Sequence, residues 1–502
     1  MTRIRSAEFQ KKVVSADDAA AMIHDGDQIG FSGFTGSGYP KEFPGALARR
    51  VEEAKAKGEQ LRVGLCTGAS TAPECDGVLA ATGGVSFRMP YQSDPHMRKA
   101  INDGVTDYCD IHLSHSGPVV RQGFLGPLNV AVVEVTAIAE DGSLVPSSSI
   151  GNNNVYLDCA ERVILEVNEW QSEGLEGMHD VYYGTELPPN NVPIPITHAG
   201  QRIGQPTLRV DPNKVVAVIE TDHEDRNTPF KELDEDSKTI GGLYVDFLLN
   251  EVKHGRMPKN LLPLQSGVGN IANAVLAGLL ASDLEHLTSY TEVIQDGMVD
   301  LIDAGKIDVA SATAFSLSPE AANKMNDNAN FYKQHIILRP QEISNSPEVI
   351  RRMGVLSCNG MIEADIYGNI NSTHVMGSRM QNGIGGSGDF TRNAYISAFV
   401  SPSTAKGGAI SCIVPMVSHH DHTEHDVMVI VTEQGLADLR GLAPRKRAQV
   451  IIDKCAHPDF KPMLQEYVER AAKVANSAHT PHDLTQALSW HARMLATGTM
   501  KV

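Results

Sequence analysis

The carboxylate of Glu292 follows a run of residues that favours a strand and precedes a run that favours a helix. Residues 287–294 are rich in β-branched and aromatic side chains, which predicts a strand. Asp296 can then cap a helix. The apolar face of that helix consists of Met298, Val299, Leu301 and Ile302. A glutamate at a strand end beside a helix amino terminus lies where open α/β sheets place ligands, and the helix dipole favours its ionised form. This pattern suits a nucleophilic carboxylate.

A glycine turn, residues 267–272 (GVGNIA), precedes this segment. Its spacing fits the dinucleotide-binding pattern, and Glu292 lies near the position expected of the acid that binds the ribose. Three hypotheses follow from these residues alone: a nicotinamide-binding domain of a dehydrogenase or sensor, a nucleophilic glutamate, or a purely structural turn. The spacing does not decide between them.

A second glycine loop, residues 382–390 (NGIGGSGDF), offers backbone N–H groups that can approach a ligand closely. It could supply half of an oxyanion hole, and the alternative is a flexible surface loop. Glu433 follows a predicted strand at residues 427–431, where it could orient a substrate, or be an exposed loop residue. Ser70, in the loop 67–71, could bind a carboxylate or cap a helix.

A run of histidines and one aspartate invites a metal hypothesis. The run consists of His419, His420, Asp421, His422 and His425. It lacks the helical pair of histidines with a placed third ligand that zinc sites use. We therefore predict a solvated or dimer-facing loop and no metal.

Length and composition indicate a soluble globular protein. The 502 residues suggest two or three domains of roughly 100–200 residues each. A formal net charge of -18 argues against general nucleic-acid binding. The seven cysteines form no Cys-x-x-Cys pair, which predicts a reduced, cytoplasmic compartment. Residues 1–14 lack a continuous apolar run, and no segment approaches the ~18 apolar residues of a membrane span. We expect neither secretion nor membrane insertion.

The strands and helices predicted to position these residues alternate along the chain. Strands are predicted at 28–31, 61–65, 129–135, 162–167 and 214–219, and helices at 44–57, 240–252 and within 462–495, where Trp490 packs against the body. This is the pattern of parallel α/β architecture. The acidic, polar stretch 220–238 marks a domain boundary. We predict two α/β domains, 1–228 and 229–502, with Glu292 and the terminal helices in the second.

Several long motifs, taken together, resemble the class I CoA-transferases, and most closely the acetyl-CoA hydrolase/transferase family. They are residues 33–40 (GFTGSGYP), 265–275 (QSGVGNIANAV), 291–297 (TEVIQDG), 359–365 (NGMIEAD), 382–390 and 431–440 (VTEQGLADLR). The similarity runs nearly from end to end. It implies two related open α/β domains, with the active site at strand carboxyl ends between the domains.

The resemblance also implies roles for individual residues. Glu292 would be the nucleophile, and the N–H groups of Val268 and Gly386 the oxyanion-hole donors. Asn345 and Glu433 match polar residues of the active site. Residues expected to contact CoA are Gly267, Gly269, Asn345, Gly386, Lys406 and Arg226. Ser70 and Arg226 would bind the substrate carboxylate.

The implied activity moves CoA between succinyl-CoA and acetate through an acyl-glutamyl anhydride and a glutamyl-CoA thioester. Alternatives are an acyl-CoA hydrolase, a transferase that uses propionate or another short acid, or a phosphosugar isomerase of the same architecture. We expect a homodimer with CoA thioesters as substrates, and no tightly bound cofactor, metal, nucleic acid or membrane partner.

Overall fold

Strands and helices alternate along the chain in a computed structural model that describes residues 2–70, 72–226 and 232–502. The strands are β1 Gln28–Phe31, β2 Phe34–Thr35, β3 Val63–Cys66, β4 Ala69–Ser70, β5 Val85–Met89, β6 Asp107–Tyr108, β7 Val130–Ile138, β8 Leu144–Pro146, β9 Arg162–Asn168, β10 Val215–Thr221, β11 Leu264–Ser266, β12 Leu287–Tyr290, β13 Val293–Gln295, β14 Ile307–Ala312, β15 Ala314–Ser316, β16 Ile336–Leu338, β17 Leu356–Gly360, β18 Glu363–Asp365, β19 Ile370–Asn371, β20 His374–Val375, β21 Arg379–Met380, β22 Ile396–Val400, β23 Thr404–Ala405, β24 Ile410–Ser411, β25 Ile413–Val414, β26 Val429–Thr432 and β27 Gly435–Asp438.

The helices are α1 Ala7–Gln10, α2 Ala16–Ala20, α3 Phe43–Ala56, α4 Val78–Thr82, α5 Pro95–Asn102, α6 Leu113–Arg121, α7 Asn153–Cys159, α8 Glu235–Lys253, α9 Asn270–Ala281, α10 Asp296–Asp303, α11 Pro319–Asp327, α12 Ala329–Tyr332, α13 Gln341–Ser344, α14 Pro347–Met353, α15 Ser387–Asn393, α16 Pro444–Cys455, α17 Lys461–Val474 and α18 Ser489–Thr497. No helix in the described part of the chain is long and apolar enough to span a membrane.

Two compact units divide the chain. Unit 1 comprises Met1–Phe230 and Thr288–Met353, and unit 2 comprises Lys231–Leu287 and Gly354–Val502. The predicted boundary after residue 228 lies next to the first of these breaks and stays a prediction. The contacts also group the segment that carries Glu292 with unit 1, although the sequence places it in the second predicted domain.

Buried contacts explain why Thr288–Met353 belongs to unit 1. Arg339 forms an ion pair with Asp180, and both side chains are excluded from solvent, at 0% and 1% exposure. The hydroxyl of Thr313 accepts a 3.0 Å hydrogen bond from the backbone of Gly151. A buried charge needs its partner, so these residues fix the segment in this unit.

The main sheet of unit 1 has the order β10–β9–β7–β1–β3–β5–β6, with β8 also pairing with β7. All its neighbours are parallel except β7 and β8. Every residue of β7 is buried, as expected of a parallel strand covered on both faces. Gly30 in β1 must be glycine, since a Cβ there would lie 2.7 Å from the Tyr156 ring. The predicted strand at 28–31 is confirmed, and those at 61–65, 129–135, 162–167 and 214–219 are shifted or extended by one to three residues.

Further strands of unit 1 lie in the order β16–β14–β12, and β13 pairs in parallel with β15. The predicted single strand at 287–294 is wrong in one respect, because it splits into β12 and β13. Thr291 and Glu292 form the break. Thr291 donates its backbone N–H to Ser311, and the Glu292 carbonyl accepts from Thr313. The chain therefore changes its strand-pairing partner at Glu292.

Unit 2 contains the strand order β11–β17–β22–β26–β27, which is parallel until the β26–β27 hairpin. An apolar core of unit 2 joins β22, β26 and β27 to α16, α17 and α18. Trp490 of α18 is buried and its ring lies 5.6 Å from that of Phe460, which confirms its predicted packing. The helical pattern predicted within 462–495 forms α17 and α18.

Candidate active site

Glu292 lies in the break between β12 and β13, with its backbone held in place and its side chain half-buried. Its carbonyl oxygen accepts hydrogen bonds from Thr313 at 2.8 Å and Ala314 at 3.3 Å. The helix that follows begins at Asp296. The predicted cap by Asp296 is wrong, because Gln295 occupies the cap position and Asp296 is already helical. The Asp296 carboxylate instead accepts a hydrogen bond from the Ser318 backbone.

Asn345 is the predicted site residue that the structure brings to Glu292. Its side-chain amide donates a 2.7 Å hydrogen bond to Oε1 of Glu292. Asn345 is fully buried, and its own Oδ1 accepts from the Ser344 hydroxyl at 3.0 Å. A hydrogen bond donated to a carboxylate favours the charged form, which is the nucleophilic one. The hydrogen bond from Asn345 therefore orients the Glu292 carboxylate.

The segment that carries Asn345 is fixed by buried polar contacts within unit 1. Gln341 donates to the Ser116 hydroxyl at 2.7 Å. Glu342 accepts from Asn154 at 2.8 Å and from both terminal nitrogens of Arg121. Together with the Arg339 and Asp180 ion pair, these bonds hold α13 rigid. Asn345 directly follows α13 as its C-cap, so the same contacts orient its amide.

A small apolar cluster adjoins the chain at Glu292. It consists of Phe34, Ala69, Leu113, Val293 and Ala314, with Tyr91 packed against it. Burial raises the pKa of the Tyr91 phenol, and the charge of Glu292 raises it further. Apolar side chains thus pack beside the backbone at Glu292.

Arg226 and Ser70 both lie next to the segment 35–36 of unit 1. Arg226 donates its backbone N–H to Gly36 at 2.8 Å, and its Nη1 lies 3.1 Å from the Glu74 carboxylate. The side chain is 55% exposed, in a cleft of about 350 Å³ that Glu74 also lines. Ser70 pairs with Thr35 through β4 and β2, and its side chain lies outside the described part. The roles of Arg226 and Ser70 in binding substrate stay predictions.

Lys41 lies next to Asp225, the residue that precedes Arg226. No sequence pattern identifies Lys41 as part of the site. Its ammonium contacts Glu134 at 2.6 Å and Asp225 at 3.0 Å, and it is almost fully buried. Burial lowers the pKa of this amine, but the two carboxylates outweigh it, so the pKa is raised. Asp225 also accepts from the backbone of Gly38. This cluster fixes the residue next to Arg226, and only the fold brings its members together.

The glycine turn lies in unit 2, between β11 and α9. Gly267 donates its N–H to the Cys358 carbonyl at 2.9 Å, while Val268 is 63% exposed. Gly269 has a φ of 122°, a conformation that favours glycine. The turn therefore holds an unusual backbone geometry directly before a helix.

The other candidates in unit 2 occupy a helix start and two turns. Gly386 precedes α15, with its carbonyl accepting the first helical hydrogen bond from Phe390. Lys406 lies exposed in the turn between β23 and β24, at a φ of 48°.

Glu433 follows β26 and is held by Ser403, whose N–H donates to it at 2.7 Å and whose hydroxyl also donates. Burial alone would raise the pKa of Glu433, but hydrogen bonds from Ser403 and Gln434 lower it. Glu433 is thus half-buried in the turn between β26 and β27, and its role stays a prediction.

The histidine run lies in a loop, as predicted, but it is only partly solvated, and its facing a dimer partner stays a prediction. His422 is 4% exposed, whereas His420 and His425 are exposed. Across residues 2–70, 72–226 and 232–502, no group of three or more His, Cys, Asp or Glu side chains could hold a metal ion. The polar sequence of the histidine run does not predict that His422 is buried. The burial depends on long-range packing, since the ring of Phe399 lies 4.9 Å from that of His422.

Comparison with known proteins identifies the family. The acetyl-CoA hydrolase/transferase N-terminal domain model matches residues 1–220, and the corresponding C-terminal domain model matches residues 322–468. A succinyl-CoA:acetate CoA-transferase from Clostridium kluyveri is 52% identical, over 99% of this chain and 92% of that protein. The chain belongs to the acetyl-CoA hydrolase/transferase family.

Members of the acetyl-CoA hydrolase/transferase family carry two kinds of name. An acetyl-CoA hydrolase from Schizosaccharomyces pombe is 45% identical, over 100% of this chain and 98% of that protein. The crystal structure of RipA from Yersinia pestis shares the fold, with a TM-score of 0.73 at 23% identity over 92% of this chain and 98% of that one. The family membership favours CoA-thioester chemistry over the dinucleotide-binding and phosphosugar hypotheses.

Proposed function

We propose that this protein transfers CoA between succinyl-CoA and acetate, with Glu292 as the nucleophile. The observation that carries the proposal is the hydrogen bond from Asn345 to Glu292, which holds a half-exposed carboxylate in one orientation. The Clostridium kluyveri relative supports the choice of substrates, since it is named for this reaction and matches nearly the full length.

The proposed reaction proceeds through covalent intermediates on Glu292. A carboxylate oxygen attacks the acyl-CoA carbonyl, the C–S bond breaks, and CoA leaves as the thiolate while an acyl-glutamyl anhydride forms. The thiolate then attacks the glutamyl carbonyl of the anhydride, which releases the first acid and gives a glutamyl-CoA thioester. The acceptor carboxylate reverses both steps, so Glu292 is regenerated and CoA is conserved.

The other predicted residues take supporting roles in this proposal. The N–H groups of Val268 and Gly386 stabilise the oxyanion of each tetrahedral species. Arg226 and Ser70 bind the substrate carboxylate, and Glu433 orients substrate. Gly267, Gly269 and Lys406 contact CoA, whose remote groups supply binding energy that holds the reacting atoms together.

Hydrolysis is the second candidate function, favoured by the Schizosaccharomyces pombe relative. Water would then intercept the glutamyl-CoA thioester in place of an acid. An assay of free CoA release in the absence of any acceptor carboxylate separates the two. We expect negligible multiple-turnover release, and rapid release would reject the transferase proposal.

The nucleophile is tested by mass spectrometry of the intact protein after acyl-CoA and then borohydride, which reduces a thioester. We expect a CoA-dependent mass change that maps to Glu292 and is absent in Glu292→Ala. Equal modification of both proteins would show that another residue is the nucleophile.

The proposal includes a homodimer that acts in the cytoplasm without a tightly bound cofactor. All seven cysteines are free, as expected of a reduced compartment. Light scattering coupled to size-exclusion chromatography tests the dimer, and a monomer mass would reject it.

A further inference from the structure

His422, the buried histidine of the run, is hydrogen-bonded to the glycine loop, residues 382–390. Nε2 of His422 lies 3.0 Å from the hydroxyl oxygen of Ser387. That hydroxyl donates its single proton to the Ile384 carbonyl at 2.9 Å. The ring N–H of His422 is therefore the donor in the contact with Ser387. His422 thus donates a hydrogen bond to Ser387, the residue that directly follows Gly386.

The backbone of His422 is itself fixed. Its carbonyl accepts from Ile370 at 2.8 Å, its N–H donates to Ile370 at 3.2 Å, and Ile370 is fully buried. The ring packs against Phe399, which is also fully buried. His422 accordingly presents its N–H from a rigid position in the core of unit 2.

Asp421 holds the other end of the glycine loop through an intermediate segment. Its carboxylate accepts from the backbone of Ser372 at 2.6 Å and from the Thr373 hydroxyl at 2.9 Å. The Thr373 carbonyl accepts from Gln381 at 2.8 Å, and the Ser372 carbonyl accepts from the Asn382 amide at 3.1 Å. The loop that contains Gly386 therefore begins on a segment fixed by Asp421 and ends on a residue fixed by His422.

A glycine-rich loop needs such contacts because it has few side chains of its own. Glycine loses more backbone freedom on ordering than any other residue, and Gly385 lies at a φ of 61°. An oxyanion donor must lie about 2.7–3.1 Å from the position of the developing charge. Small movements of the loop would therefore weaken the stabilisation that Gly386 is proposed to supply.

We propose that Asp421 and His422 are positioning residues that hold the Gly386 N–H in its oxyanion-stabilising orientation. This inference rests on the proposed function, in which Gly386 is a donor of the oxyanion hole. It gives the histidine run a role in the reaction that requires no metal and no direct contact with substrate.

Two variants of His422 test the proposal. His422→Leu keeps side-chain bulk but removes the N–H, whereas His422→Gln places an amide nitrogen near the position of Nε2. We expect His422→Leu to lower kcat about 10- to 100-fold, part of the loss seen when an oxyanion donor is removed, with KM for acyl-CoA unchanged within about two-fold. His422→Gln should restore kcat to within about three-fold of wild type. His425→Leu, at an exposed position of the same run, is the matched control and should leave both constants unchanged.

Amide hydrogen exchange of residues 383–388 in the free protein provides a readout that does not depend on catalysis. Exchange should be faster in His422→Leu than in wild type and His422→Gln. Ser387→Ala removes the hydroxyl that accepts from His422 without opening a core cavity, and it should also speed exchange. It serves as the test if His422→Leu does not fold. Wild-type kcat together with wild-type exchange in these variants would overturn the inference. If the wild-type protein transfers no CoA, the proposed function fails, and the exchange data still decide whether His422 holds the loop.

Discussion

The side-chain amide of Asn345 donates a 2.7 Å hydrogen bond to Oε1 of Glu292, and both residues belong to the same compact unit. They are separated by 53 residues in the chain. Arg339, Gln341 and Glu342 hold the helix that directly precedes Asn345 through buried contacts. The orientation of the carboxylate is thus set by a network, and each part of that network can be tested.

Asn345→Ala should lower kcat about 10- to 100-fold, because a hydrogen bond to a charged group contributes roughly 1.5–3 kcal/mol. Steady-state transferase kinetics measure the effect. Asn213→Ala, at an exposed position in the same unit, is the control and should keep wild-type kcat. A wild-type kcat in Asn345→Ala would show that this hydrogen bond does not contribute to the reaction.

Arg339→Met should destabilise the protein by about 3 kcal/mol, since removing one partner leaves the Asp180 carboxylate charged and buried. The Asp180 carboxylate also accepts hydrogen bonds from the backbone N–H groups of Ile203 and Gly204, which limits the loss of stability. Urea unfolding measures the change. Arg209→Met breaks an exposed ion pair with Asp158 and should cost under about 1 kcal/mol. Equal losses in the two variants would contradict the role given to burial.

Glu251→Gln should reduce the acid sensitivity of the protein. Hydrogen bonds from Arg256 and Arg440 lower the pKa of Glu251 to about 2 from its usual 4.5. A lowered pKa means that the ionised group stabilises the fold above pH 4.5, and that this contribution is lost as pH falls toward 2.

The contribution of Glu251 is about 1–3 kcal/mol when the group is ionised. We expect Glu251→Gln to melt below wild type near neutral pH, and the difference to shrink as the pH is lowered through the range 4.5 to 2. Thermal midpoints across this range measure it. A difference that does not change with pH would show that the pKa of Glu251 is not lowered.

Lys406→Ala should raise KM for acyl-CoA about two- to five-fold with little change in kcat, as expected for one exposed contact to a phosphate-bearing substrate. The effect should shrink in about 1 M salt, where charges are screened within roughly 3 Å. Lys454→Ala, another exposed lysine of unit 2, serves as the comparison. An equal rise in KM for both variants would assign the effect to overall charge.

Local patterns predicted most of the strands and helices that frame the site. The strand at Gln28–Phe31 matches its apolar run, and Met298, Val299, Leu301 and Ile302 form the buried face of α10. These features depend on neighbours in sequence. The break at Glu292 does not, because the β-branched run continues through it and only the pairing with Ser311 and Thr313 reveals the change.

Long-range contacts account for the features that the sequence did not reveal. Lys41, Glu134 and Asp225 lie far apart in the chain, and no spacing rule brings them together. His422 looks like a surface residue in a polar run, but it is covered by Phe399 and bonded to Ser387. The family resemblance named Glu292 and Asn345, and their hydrogen bond is visible only in the folded chain.

The discontinuous makeup of unit 1 has a consequence for synthesis of the protein. A ribosome that has translated the first 230 residues has not yet made Thr288–Met353, which completes the unit. Until then Asp180 lacks Arg339, and Glu342 is not present to pair with Arg121. Unit 1 therefore reaches its final packing only after Met353 has left the ribosome, so the nascent chain exposes unpaired charges and apolar surface for longer than its first 230 residues would require.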